Sequence, residues 1–279
     1  MAVDSGSRLK FDYSIGNSRT SPHVPEMARL GICHLCGTYT ELTFEHVPPR
    51  NSFNDRPLVT KVIEDVLRAE SLEELKGARV RRQPRGAGAY TLCAPCNNKT
   101  GAWYGKAYAD WVHKALTISE YAKTAPSLYQ TFQIFPLRVI KQIACMFFSA
   151  NRSSFQIKQE ETVRFVLNKE RKYLEPRFRI YTYFNRSPMS RQAAVTGQLR
   201  LGQSLRVYSE ISFPPLGYIL SLSGPAPHTK LCDISFFSKY DYNTWTDISL
   251  NIPVLTVASP MPGDFRSEGE LYSPEFVDL

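Results

Sequence analysis

The sequence predicts an α+β fold: a compact Cys-rich unit over residues 30–125, followed by a mostly antiparallel, β-rich unit over residues 126–279 with two covering helices. Three observations carry this. Two CxxC pairs, Cys33-His34-Leu35-Cys36 and Cys93-Ala94-Pro95-Cys96, stand 56 residues apart in the first half. Two apolar segments, Leu137–Phe148 and Glu160–Leu167, read as helices. From residue 177 onward, short strand-like runs alternate with Gly, Pro, Asn and Ser. At 279 residues the chain lies near the size where one core stops growing, so two domains are expected.

Residues 1–29 are polar, punctuated by Ser, Asn, Gly and Pro, and read as a flexible or surface-lying N-terminal arm. Thr40 to Phe44 reads as a short strand that ends in a turn at Pro48 and Pro49. From Val59 to Leu75 apolar residues recur at helical spacing, which predicts a helix inserted between the two cysteine pairs. Arg79 to Cys93 alternates around Gly86-Ala87-Gly88 and reads as a hairpin. Asn97 to about Tyr121 is predicted helical, with Tyr104, Tyr108, Trp111 and Ala115 on one face. Such a stripe is read as core rather than as a base-stacking surface. Residues 126–136 mark the expected boundary between units. The strand-like runs beyond it are Arg177–Tyr183, Ala193–Leu201, Leu205–Phe213, Tyr218–Ser223, Lys230–Phe236 and Pro253–Val257. The acidic tail, Glu268 to Asp278, is expected at the surface.

A hydrophobic fraction of 43% with 22% charged residues excludes disordered and fibrous classes. The formal charge of +8 favours polyanionic partners, since clustered Lys and Arg release counterions from phosphate backbones. From Lys76 to Lys106 there are seven Lys or Arg and no Asp or Glu, so a phosphate-facing surface is expected beside the second cysteine pair. The first residues carry no signal-peptide run, and nothing approaches the roughly 20 apolar residues needed to cross a bilayer. A cytoplasmic location is expected, without a membrane partner, and there thiols stay reduced.

In that setting two CxxC pairs point to metal rather than to disulfides. Each pair can grip one side of a tetrahedral ion, so Cys33, Cys36, Cys93 and Cys96 are expected to hold one structural Zn²⁺. Cys145 and Cys232 sit in apolar contexts and read as inert core thiols.

Two further motifs flank the pairs. Leu42-Thr43-Phe44-Glu45-His46-Val47-Pro48-Pro49 ends a strand with an acid-histidine pair, and Cys96 leads directly into Asn97-Asn98-Lys99-Thr100-Gly101. Together with the CxxC pairs, this pattern over residues 30–105 resembles the HNH endonuclease family, whose ββα-metal site is built on a treble-clef zinc finger. The resemblance implies a metal-dependent endonuclease hydrolysing DNA phosphodiester bonds. It implies His46 as general base, Glu45 as acidic metal ligand and Asn97 as the last metal-binding position, with Asn98 in reserve. Such chemistry needs a base to activate water and a divalent ion to stabilise the developing charge. A neutral imidazole suits the first role, and the hard oxygens of Glu45 and Asn97 suit Mg²⁺ or Mn²⁺. Because strand side chains alternate, Glu45 and His46 share one site only if the strand ends or bulges there. Arg82, Arg85, Lys99 and Lys106 are the candidate phosphate contacts.

The family usually carries a further Asn shortly before the third cysteine, which steadies the loop bearing the base. Here Gly86-Ala87-Gly88-Ala89-Tyr90 occupies that stretch, so another residue does the steadying or the site is slow or inactive. By analogy with standalone bacterial proteins of this kind, a restriction or anti-phage defence role is expected, with RNA as an alternative substrate. Residues 126–279 are then expected to recognise a partner, oligomerise or control access. The rival expectation is a zinc-supported module that binds nucleic acid or protein without cutting.

Overall fold

The computed structural model describes residues 29–61, 79–121, 125–199 and 204–271. Residues 1–28, most of the expected inserted helix and the end of the acidic tail therefore lie outside the described residues. The N-terminal half is organised by a small antiparallel sheet of β1 (Leu30–Ile32), β2 (Tyr39–His46) and β5 (Gly88–Cys93), with β2 in the middle. A separate pair joins β3 (Leu58–Lys61) to β4 (Val80–Gln83). From Cys93 the chain enters one continuous helical run: α1 (Ala94–Thr100), a π-helical turn (Gly101–Gly105) and α2 (Lys106–Tyr121). Pro95 opens that run, as a residue with fixed φ and no N–H should.

The second half begins with β6 (Ser127–Ile134) and α3 (Pro136–Ala150), then a 3₁₀ turn and α4 (Glu160–Leu167). Next come β7 (Arg179–Asn185), β8 (Arg191–Gln198), β9 (Arg206–Phe213), β10 (Leu216–Ser223), β11 (Cys232–Asp233) and β12 (Thr246–Leu255). They form a seven-stranded sheet in the order β6-β12-β7-β10-β9-β8, with β11 also paired to β7. Every pairing is antiparallel except β12 with β7. The fold is thus α+β with one large, mostly antiparallel sheet. Among the described residues no helix is long and apolar enough to cross a membrane.

Several local expectations change. Residues 79–93 do not form a hairpin: β4 pairs with β3 and β5 pairs with β2. Alternation marks a strand, but it cannot name a partner from another part of the chain. Val59 lies in β3, so the inserted helix does not begin there. The expected boundary at 126–136 contains strand β6, and β12 begins at Thr246, well before Pro253. Pro253 is tolerated because it stands opposite Ser127 at a non-hydrogen-bonded position, the next ladder bond to the β6 side running from the Val254 N–H to the Pro126 carbonyl at 2.9 Å, so no ladder bond needs its missing N–H. Only Cys232 and Asp233 of the run 230–236 are extended, before a 3₁₀ turn at Ser235–Lys239.

The predicted face of the long helix is buried: Tyr104, Tyr108, Trp111 and Ala115 are all 2% exposed or less. Trp111 packs on Phe132 of β6 and donates its Nε1–H to the Tyr218 hydroxyl of β10 at 3.0 Å. One hydrophobic cluster contains Cys33 and Leu35 of the small sheet's turn, the α2 stripe, most of α3, and Ile252 of the large sheet. Residues on both sides of position 125 therefore share a core.

Helix α3 is its axis, buried from Pro136 to Ser149 apart from Arg138. Lys141 on it is fully buried, and its ammonium donates to the carbonyls of Phe165 (2.8 Å), Asn168 (2.6 Å) and Lys169 (3.1 Å). These carbonyls lie at the C-terminal end of α4, where helical partners run out. Burial brings the Lys141 pKa from 10.5 down to about 7, with Glu170 opposing the fall and Arg171 adding to it. Between those values the unfolded chain binds more protons at this site than the folded one, so stability from this group rises with pH and is lost as pH falls. In paired urea titrations, wild type should gain stability relative to Lys141→Met from about pH 7 to about pH 9. A difference that stays flat with pH would contradict the burial of this charge.

Candidate functional site

The first CxxC pair sits on the tight turn between β1 and β2, and the second spans the end of β5 and the first turn of α1. The Gly37 N–H donates to the Cys33 carbonyl at 2.9 Å, closing the first turn, and Gly37 holds φ +76°, which a residue with a Cβ rarely adopts. The four sulfurs converge: every ligand atom lies within 4.8 Å of the others. Four sulfurs about 2.3 Å from one tetrahedral ion stand about 3.8 Å apart. The Cys36 and Cys93 sulfurs are separated by 3.8 Å. Cys33, Cys93 and Cys96 are buried, and the Cys93 N–H reaches the Cys33 sulfur at 3.4 Å. The Cys96 thiol donating to Cys33 holds the Cys33 thiol well below the usual range and drives Cys96 up. A cation among them removes that conflict by letting all four sulfurs ionise. The cluster is positioned to bind a metal ion, and a closed set of four soft donors is consistent with structural zinc. Cys145 and Cys232 are not part of it.

Strand β2 leads from this cluster to the acid-histidine pair. Its pairing with β5 continues through Glu45↔Ala89 and His46↔Gly88, and the register shift falls earlier, where Thr91 of β5 is the extra residue. Glu45 and His46 therefore face opposite sides of the sheet. Glu45 turns inward, only 7% exposed, and burial raises its carboxyl pKa to about 7. Thr43 shares its side of β2. The Asn97 amide donates to the Thr43 hydroxyl at 3.0 Å and to the Phe44 carbonyl at 3.5 Å, which joins α1 to this side of the strand. Asn97 is not the cap of α1, since Cys93 holds that place, and Asn98 is exposed.

His46 lies on the other side, half-buried, its ring edge-on to Phe44 at 4.9 Å. Its Nε2 lies 2.9 Å from the Arg85 carbonyl oxygen. A carbonyl can only accept, so Nε2 carries the proton and Nδ1 is the basic nitrogen. Burial lowers the His46 pKa, the nearby charges of Arg50 and Arg85 lower it further, and the Arg85 carbonyl bond opposes them. Phe44 in turn packs edge-on to Tyr90 at 5.5 Å, Arg29 lies 4.0 Å over the Tyr90 ring, and Arg85 donates to the Tyr90 hydroxyl at 3.1 Å. This face is basic and aromatic.

No protein-family description matches this sequence, and no curated protein or solved structure matches the chain. What the residues can do follows from their own geometry.

One residue of that geometry escapes the sequence reading. Asn54, 1% exposed, donates to the carbonyls of Pro48 (2.6 Å) and Ala87 (2.7 Å), and its Oδ1 accepts the Ala87 N–H at 2.6 Å. It thereby ties the loop after His46 to the turn whose Arg85 carbonyl holds the imidazole. Gly86 completes the fit: its φ is +88°, and a Cβ there would come within 2.5 Å of the Asn54 carbonyl oxygen. Phe53 beside it holds φ +67°, its ring tilted against His113 of α2 at 4.5 Å and followed directly by the Asn54 bonds. The only local signal is an Asn shortly after the Pro48-Pro49 turn; its partner at Ala87, 33 residues on, is not visible in the sequence.

The basic candidates do not gather at one place: Arg85 lies beside His46, Arg82 is on β4 opposite Val59 of β3, and Lys99 and Lys106 project from the helical run beyond Asn97. Replacing Asn54 by Ala leaves the buried Pro48 carbonyl and the half-buried Ala87 N–H without their partner, while the Ala87 carbonyl keeps the Val47 N–H. A loss of about 2–4 kcal/mol in urea unfolding is expected. A midpoint and slope equal to wild type would show that the two loops are held by something else.

Proposed function

We propose that this protein is a metal-dependent endonuclease that hydrolyses DNA phosphodiester bonds, with His46 as the general base and the four-cysteine cluster holding a structural Zn²⁺ away from substrate. In this reading the cluster and its strands are a treble-clef scaffold of HNH type. The observation that carries it is the setting of His46: its imidazole is fixed through Nε2 on the Arg85 carbonyl, which leaves Nδ1 as the basic nitrogen, and burial with the nearby charges of Arg50 and Arg85 lowers its pKa and favours the neutral ring. A base in that setting takes a proton from an attacking water, while the cations neutralise the phosphate's charge. The water oxygen bonds to phosphorus, the bond to the leaving oxygen breaks, and that oxygen leaves with a proton from solvent. Asn54 keeps the base in place.

Glu45 and Asn97 offer hard oxygens that would suit Mg²⁺ or Mn²⁺, and such an ion would supply Lewis-acid stabilisation of developing charge. Their place on the side of β2 away from His46 favours a second reading: a zinc-supported module that binds nucleic acid without cutting it. A role in restriction or anti-phage defence belongs to the first reading and rests on analogy with HNH proteins.

Supercoiled plasmid incubated with the protein and Mg²⁺ or Mn²⁺ separates the two. Wild type is expected to nick it, EDTA to stop the nicking, and His46→Ala to slow it by about 100-fold or more, the usual contribution of a general base. Equal nicking by wild type and His46→Ala removes His46 from the chemistry. Retained DNA binding with no nicking under either metal establishes the binding module instead. The same assay on structured RNA tests the alternative substrate.

A further inference from the structure

The side of the helical run that faces away from the core bears its own pattern. Lys99, Trp103, Lys106, Asp110 and Lys114 recur every three or four residues, which places them on one face of α1, the π turn and α2. Across from this face stand Phe135 and Arg138 at the start of α3, and Trp245 just before β12. Between the two walls is an open cleft of about 490 Å³, lined by Trp103, Lys106, Asp110, Phe135, Arg138 and Trp245.

Its walls pair aromatic rings with cations. Trp245 is 42% exposed and tilts against Phe135 at 4.7 Å between ring centroids. Lys114 lies 4.6 Å from the Trp245 ring, and Lys99 lies 5.5 Å from the Trp103 ring. The Arg138 guanidinium sits 4.2 Å over Phe135 and 4.1 Å over Tyr242. It is fixed by donating to the Tyr242 carbonyl at 2.8 Å and to Asn243 Oδ1 at 2.7 Å. The Trp103 wall is fixed too, since the Tyr242 hydroxyl donates to its carbonyl at 3.0 Å. Four cations and one carboxylate therefore surround partly exposed indole rings whose supports are rigid.

We infer that this cleft is a stacking site for an unpaired nucleotide strand, with bases against Trp245 and Trp103 and phosphates beside Lys99, Lys106 and Lys114. Aromatic faces accept any base, and interleaved cations follow the backbone. A duplex covers the faces of its bases with one another, so the site selects single strands. The charge balance disfavours a purely apolar occupant, because four cations would be desolvated without partners. The helix face that forms one wall begins beside Asn97, so a strand lying in the cleft leads toward the zinc unit. This inference rests on the nuclease reading for its choice of polymer and adds to it a site for unpaired stretches of that polymer.

The test is binding without cutting. Fluorescence anisotropy with labelled single-stranded oligo-dT, an oligo-U of equal length and a duplex, in buffer without Mg²⁺ or Mn²⁺, reads affinity alone. Wild type is expected to bind the single strands more tightly than the duplex, with quenching of tryptophan fluorescence. Trp245→Ala should weaken single-strand binding about 10-fold, with Trp245→Phe close to wild type, as stacking on one ring predicts. Because Trp245 is partly exposed, its thermal unfolding midpoint should stay close to wild type, which checks the fold. Equal affinity for Trp245→Ala and wild type, or a preference for duplex, overturns the inference. His46→Ala should bind single strands as wild type does. If nicking proves independent of His46 while Trp245→Ala still weakens strand binding, the catalytic reading fails and the cleft stands.

Discussion

The convergence of four sulfurs is the constraint on which the N-terminal half depends. It fastens the turn between β1 and β2 to the junction of β5 and α1, two places separated by 56 residues of chain. Strand β2 and helix α1 are thereby set side by side, and the Asn97 amide reaches Thr43 and Phe44 across the joint. Metal binding to four thiolates can be worth on the order of 10 kcal/mol, about the stability of a whole domain. No hydrophobic contact in this small sheet approaches that figure. The cysteines thus act as scaffold, and the polar chemistry lies one strand away.

What the cluster holds in place is extended by packing. Cys33, Leu35, Leu92 and Cys96 belong to the same buried cluster as α3 and the large sheet, so the small sheet is seated on the second half rather than tethered to it. The helical run does double work. Its inward stripe, Tyr104 to Ala115, fills the core, while Trp103, Lys106 and Asp110 on its outward side form one wall of the cleft. On the small sheet itself, Asn54 joins the loop after His46 to the turn before β5, so the imidazole's hydrogen-bond partner is fixed by a buried amide.

The parts legible in sequence are those with local causes. Helix α4 matches its expected bounds because its apolar spacing and flanking polar residues are contiguous. The α2 stripe was readable from its period, and the cysteine cluster from the spacing within each pair. The parts that escaped depend on distant partners. Residues 80–83 look like half of a hairpin until β3 is seen to claim them. Strand β12 hides behind Pro253, whose cost vanishes because it falls at a non-hydrogen-bonded position of the ladder. Asn54 reads as an ordinary turn residue because its acceptors at Pro48 and Ala87 meet only in the folded chain. The opposed faces of Glu45 and His46 depended on where the bulge falls, and it falls in β5 at Thr91, before either residue.

X-ray absorption at the metal edge of the purified protein tests the scaffold most directly. The account predicts one zinc ion per chain in a shell of four sulfurs at about 2.3 Å, with no oxygen or nitrogen neighbour. A protein that folds with the same thermal midpoint and holds no metal, or a metal shell containing histidine or water in place of any of the four thiolates, would contradict it.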